Sequence, residues 1–170
     1  KKEESKKGEN WVSYLVEEWE KTAAEFKSIG SRVVQMRISL IFSKNGGFLK
    51  YNMLSMKYGL GIMIGPKDKI INWIHIYDLV NFISKSIKER KYTGPYNLTS
   101  KKPISQISLL KKIQNKLYPY SLIIKMPDFI TNIILGQRKI IINANYYIDT
   151  SKLEDTGFKY KFNSIEDIVK

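Results

Sequence analysis

Short apolar runs alternate with amphipathic segments along nearly all of this 170-residue chain, and that alternation restricts it to an α/β architecture. Trp11, Leu15, Trp19 and Ala23 recur at helical spacing, with Glu17, Glu18 and Glu20 on the other face. They predict a first helix that ends near Gly30, a residue suited to a left-handed C-terminal turn. The run 32–42 is rich in β-branched and aliphatic side chains and reads as one buried strand. Asn45-Gly46-Gly47 predicts a turn, followed by a second helix to about Tyr58. Gly59, Gly61, Gly65 and Pro66 then mark a loop with at most one short strand. Residues 73–76 read as a short strand, and Asp78 is expected to cap a helix running to about Arg90. A strand at 95–98, a helix at 105–117 and a strand at 122–124 follow, and Pro127 opens another helix. The tail comprises 140–148, a short helix at 151–156, Gly157-Phe158, and a last helix from Ser164. Neither an internal repeat nor a low-complexity linker is visible.

Composition removes whole classes of chemistry. The chain has no cysteine, which excludes disulfides, thiolate metal sites and cysteine nucleophiles. Its single histidine, His75, excludes a multi-histidine zinc site, so no metal is expected. No apolar run reaches the roughly 18 residues needed to span a bilayer. The Lys/Glu-rich start leads straight into an amphipathic helix without a leader pattern, and a cytoplasmic location is the expectation. The net charge of +13 raises the question of an anionic partner. The charge is almost all lysine, spread along the chain, whereas bidentate phosphate and base contacts favour arginine. No specific nucleic-acid partner is expected.

The order of short motifs carries more information than any one of them. Glu3-Glu4-Ser5-x-x-Gly8 is followed by Trp19-Glu20, Arg37 and Gly46-Gly47-x-Leu49. Gly59-x-Gly61 and Gly65 precede Trp73-Ile74-His75-Ile76-x-Asp78. Gly94-Pro95-x-Asn97-Leu98-Thr99, Pro127 with Gly136, and Leu153-x-x-x-Gly157-Phe158 complete the series. This series resembles the C-terminal half of the atypical short-chain dehydrogenase/reductases known as epimerase-family proteins, which are similar to nucleoside-diphosphate-sugar epimerases. Some members are described as cell-division inhibitors.

The resemblance implies the C-terminal part of a Rossmann-like fold, with a small substrate-side lobe and a C-terminal cap. Residues 1–118 would be the C-terminal part of an NAD(P)-dependent epimerase-like domain, and 119–170 the family's C-terminal domain of unknown function. It implies NADP or NAD as cofactor of the full-length protein, a small-molecule substrate, and a missing N-terminal half as the structural partner. In the family the cofactor loop lies far upstream. No GxGxxG or GxxGxxG joins a strand to a helix here, so this chain alone is expected to bind no dinucleotide tightly.

Individual positions refine the expectation. The strand end at Ile38, Ser39 and Leu40 resembles the segment whose backbone passes the nicotinamide ring. The catalytic Tyr-x-x-x-Lys positions of ordinary members fall at Trp11 and Leu15, which cannot do that chemistry. Tyr14 has Glu18 four residues on, and a carboxylate raises a tyrosine pKa. The arginine that meets the diphosphate in sugar-nucleotide epimerases is replaced by Ile71. Lys67 and Lys69 nearby offer only diffuse positive charge. Gly46, Gly47, Lys67, Lys69 and Trp73 are the candidate substrate-cleft residues. Trp11, Trp19 and Trp73 are also read as packing residues.

His75 has two readings. It is the candidate catalytic acid/base, since its pKa lies near neutrality, or it holds its strand through a hydrogen bond. Three functions stay open: an epimerase-like oxidoreductase of unknown substrate, a non-catalytic cofactor-binding regulator or scaffold linked to cell division, or a basic surface-binding protein, which a steep salt dependence of binding would reveal. Last, strand 32–42 and the helix from Trp11 would lie beside missing upstream elements, which predicts an exposed apolar face.

Overall fold

The computed structural model describes residues 1–5, 8–136 and 145–169; the tail positions 137–144, including Gln137-Arg138 and the start of the expected 140–148 segment, lie outside the described residues. Helix α1 (Trp11–Glu25) begins after Asn10, whose side chain accepts the Ser13 N–H at 3.0 Å. A 3-10 turn (Phe26–Ile29) follows and ends on Gly30 at φ 81°, the left-handed position that favours glycine.

The expected single strand at 32–42 is two strands. β1 (Val34–Ile38) pairs in parallel with β6 (Gly94–Leu98), and β2 (Leu40–Phe42) pairs in parallel with β5 (Trp73–His75). The break falls at Ser39, where the chain changes neighbour. The Ser39 N–H donates to the Leu98 carbonyl at 3.1 Å, and the Leu40 N–H donates to that of Asn72 at 3.2 Å. Nor is the run buried: within β1 and β2 only Phe42 is. A parallel strand is buried only where both of its faces are covered, and among the described residues β1 pairs with β6 alone.

Helix α2 (Gly47–Lys57) leads to β3 (Leu60–Met63), which pairs in parallel with β8 (Leu122–Lys125). Two further short strands, β4 (Ile70–Ile71) and β7 (Ile104–Ser105), form an antiparallel ladder too brief to stand out in the sequence. Helices α3 (Ile76–Lys88), α4 (Gln106–Leu117), α5 (Asp128–Leu135) and α6 (Ser151–Asp155) fall close to their expected places. The last helix shrinks to a 3-10 turn, Ile165–Asp167, held by a reciprocal capping box between Ser164 and Asp167.

Side chains alternate across a strand, so adjacent Trp73 and Ile74 of β5 enter different cores. Trp73 joins Phe42, Leu49, Met56, Leu109, Leu110 and Ile113. Ile74 joins Leu79, Phe82, Tyr92, Tyr96 and Leu98. The C-terminal residues feed both: Leu153, Phe158 and Tyr160 enter the second core, Ile165, Ile168 and Val169 the first.

The packing role expected of the three tryptophans holds for Trp73 alone. Trp11 and Trp19 are 51% and 64% exposed, and no residue of α1 is buried. The amphipathic spacing of α1 therefore describes a face left exposed among the described residues. This is the exposed apolar face the sequence predicts for the helix; Val34 and Met36 of β1, expected to share it, are half-buried and pack against the second core.

Candidate functional site

The C-terminal ends of the parallel strands collect the chemistry. Phe42 and His75 are register partners at the ends of β2 and β5, and each strand is soon followed by a helix. Gly46 and Gly47 open α2 directly after β2; Gly47 has φ +69°, a conformation that a side chain would strain. Phe48 then stacks on Phe42, and Phe42 on Trp73, with centroids 6.1 and 5.2 Å apart. Trp73 is fully buried, and its indole N–H donates to the Lys102 carbonyl at 2.9 Å, so the ring faces the core.

His75, and not Asp78, is the N-cap of α3. Its Nδ1 accepts the Tyr77 N–H at 3.1 Å, which assigns the proton of the neutral ring to Nε2. The Phe162 ring lies on the imidazole at a centroid distance of 3.7 Å. Burial pushes the His75 pKa below its ordinary value; Asp78 opposes that shift and Lys161 adds to it. Protonating Nδ1 would also remove the cap and place positive charge at a helix N-terminus.

Asp78 sits inside the first turn of α3 and is fully buried. Its two carboxylate oxygens accept the N–H groups of Lys161 and Phe162 at 2.8 and 3.0 Å. The expected cap is thus a tether to the C-terminal segment.

At the ends of β1 and β6, motifs scattered through the sequence meet. Arg37 forms a two-pronged pair with Glu20, Nε to Oε1 at 2.6 Å and Nη2 to Oε2 at 2.7 Å. Its Nη1 donates to the Glu3 carbonyl at 2.7 Å, and the Glu3 carboxylate accepts the Asn97 N–H at 2.9 Å. Glu3, Glu20, Arg37 and Asn97 belong to four separate sequence motifs, and their spacing along the chain carries no sign that they form one network.

This network borders an open trough of about 1110 Å³ between α1, β1 and the N-terminal segment, lined in part by Trp19, Met36, Ile38 and Ser39. A dinucleotide fits the residues present only in part. The Ser39 and Leu40 N–H groups already donate within the chain, as does the Ser39 hydroxyl, to the Leu98 carbonyl at 2.9 Å. What the strand end offers a cofactor is the exposed Ile38 side chain, an apolar wall and not a pyrophosphate cradle.

Lys67 and Lys69 lie in the turn between β3 and β4. Lys69 is held by the backbone, its N–H donating to Pro66 and its carbonyl accepting from Gln106 at 3.2 and 2.9 Å. Burial pushes its ammonium pKa down. Lys67 is exposed. Ile71, where sugar-nucleotide epimerases place arginine, is buried against the first core. Among the described residues no cluster of three His, Cys, Asp or Glu side chains could hold a metal, and no helix is long and apolar enough to cross a membrane.

No family model matches the chain. An epimerase family protein of Staphylococcus aureus strain N315 is 30% identical over 173 aligned residues, covering 95% of this chain and 55% of its own length. One from Staphylococcus epidermidis is 31% identical with the same coverage. This chain is the C-terminal part of an epimerase-like, short-chain-dehydrogenase-like fold. It spans about half the length of the curated relatives it matches. Among solved structures, a human epimerase family protein crystallised with NADPH superposes with a TM-score of 0.89 at 23% identity, over 100% of this chain and 58% of that one. A nucleoside-diphosphate sugar epimerase from Corynebacterium glutamicum gives 0.76 at 20% identity, over 99% of this chain and 32% of that one. The epimerase-like α/β fold read from the motif order is therefore the fold observed.

Proposed function

We propose that the chain is the C-terminal portion of an NAD(P)-binding, epimerase-like oxidoreductase of unknown substrate. The observation that carries this reading is the open trough beside β1, where the β1 edge left unpaired among the described residues, helix α1 with its exposed Trp19 and the Ile38–Ser39 strand end face the same space. An upstream parallel α/β unit is the partner that would pair with β1, cover α1 and bring the glycine-rich loop. Ile38, Ser39 and Leu40 would then form the nicotinamide-side wall. Gly46, Gly47, Lys67 and Lys69 would border the substrate, with Trp73 supporting that side from the core and His75 as the candidate acid/base. The NADPH held by the human relative supports the cofactor class. The division at 118/119, with a C-terminal domain of unknown function, and the cytoplasmic location belong to the same reading.

A second reading has its own observation. Trp11 and Leu15 stand where the resemblance places the catalytic tyrosine and lysine, and both are exposed on α1. A protein that binds cofactor without turning it over, acting as a regulator or scaffold linked to cell division, fits them. The test is NADPH binding and NADPH oxidation, with sugar nucleotides and simple carbonyls, in a form of the protein that carries the upstream half. Binding with turnover supports the oxidoreductase, and binding without turnover the regulator. Absence of binding removes both.

A further inference from the structure

The turn from His75 to Asp78 spends its polar and aromatic groups on the chain's own C-terminal segment. Residues 157–169 run from the second core, where Phe158 and Tyr160 are buried, to the first, where Ile165, Ile168 and Val169 are buried. Between these anchors the segment crosses the end of β5, and three contacts hold it there. Asp78 accepts the Lys161 and Phe162 N–H groups at 2.8 and 3.0 Å. Phe162 stacks on His75 at 3.7 Å. The Lys161 ammonium lies 4.4 Å from the Tyr77 ring centroid. A fully buried carboxylate with two backbone donors is costly to leave unpaired, so these contacts close together or open together.

We propose that residues 157–169 are a C-terminal strap clasped by His75, Tyr77 and Asp78, and that the closed clasp controls the exposure and protonation of His75. Closed, Phe162 shields one face of the imidazole and Asp78 is fully engaged by the strap. Open, a histidine and an aspartate three residues apart on one helix turn are both released to solvent or ligand. The groups facing His75 are Asp78 and Tyr77 from its own turn, and Lys161 and Phe162 from the strap. This deepens the reading of His75 as a functional position, but the clasp needs no cofactor to exist.

The lone histidine makes the test direct on the 170-residue chain. Its ring protons are followed by NMR through a pH titration, with amide hydrogen exchange read at Lys161 and Phe162. In the wild type, stacking should shift the His75 ring signals upfield, and His75 should titrate below the ordinary histidine range. Phe162→Ala should abolish the upfield shift and return the titration toward about 6.5. Asp78→Asn should speed exchange at both amides at least tenfold and also weaken the His75 shift, because the contacts are coupled. The proposal is overturned if Asp78→Asn leaves the His75 signals and both amides as in the wild type, or if Phe162→Ala leaves the titration unchanged. Should Asp78→Asn fail to fold, Phe162→Ala alone decides, since that side chain is only half-buried. None of these readouts depends on turnover, so failure of the clasp and failure of the oxidoreductase reading are separable.

Discussion

Arg37 is the residue whose removal says most about how this half-fold is held. Its guanidinium makes two charge-assisted bonds to Glu20 at 2.6 and 2.7 Å and one to the Glu3 carbonyl at 2.7 Å. The two side chains of the pair keep 35% and 24% of their surface exposed. That places the pair between exposed ion pairs, worth about 0.2–1 kcal/mol, and buried pairs, whose breakage costs about 3–5 kcal/mol. Arg37→Met keeps the aliphatic stem and removes all three bonds, and should cost about 2 kcal/mol, mostly from the half-desolvated Glu20 it strands. Combined with Glu20→Gln in a double-mutant cycle, the coupling should be about 1–1.5 kcal/mol. Urea unfolding followed by circular dichroism measures all four corners. Arg37→Lys should recover less than half, because an ammonium cannot reproduce the fork. A coupling under about 0.5 kcal/mol, or full recovery by lysine, would show that the fork is incidental and that β1 is held by its ladder to β6 alone.

Three further outcomes follow from the structure. Trp73→Ala should cost about 3–5 kcal/mol through lost stacking on Phe42 and a cavity in the first core, while Trp73→Phe should cost roughly 0.5–1.5 kcal/mol for the lost hydrogen bond to the Lys102 carbonyl; thermal melts distinguish them. Because the folded His75 pKa is depressed, the unfolded chain binds more protons at mildly acidic pH. Stability should therefore be full above about pH 6.5 and decline as pH falls through the folded value, with His75→Asn, still a competent cap, flattening that part of the urea-midpoint profile. The isolated chain should self-associate through α1 and β1 in sedimentation velocity, and Trp19→Glu should shift it toward monomer; concentration-independent monomer in the wild type would refute the open-face reading.

What the sequence by itself determined is local and periodic. The alternation of apolar runs with amphipathic segments set the α/β class, Gly30 marked the end of the first helix, and the order of weak motifs identified the epimerase-like fold. The first two are written in neighbouring residues, because helix and strand periods and left-handed turns are short-range properties; the motif order spans the chain but needs only the sequence of local signals along it. Tertiary structure decided the rest. Residues 32–42 carry no mark at Ser39, yet the strand splits there, because β6 takes up the first part and β5 the second. Trp11 and Trp73 look alike as core residues, yet one is exposed and the other fully buried, because only the second has layers to pack between. Asp78 has the composition of a helix cap, but its carboxylate is claimed by N–H groups more than eighty positions away. Likewise Glu3, Glu20, Arg37 and Asn97 are four separate letters until the β1–β6 ladder and α1 bring them within hydrogen-bonding distance. Burial and pairing of this kind depend on which distant segments arrive, and no local pattern encodes that.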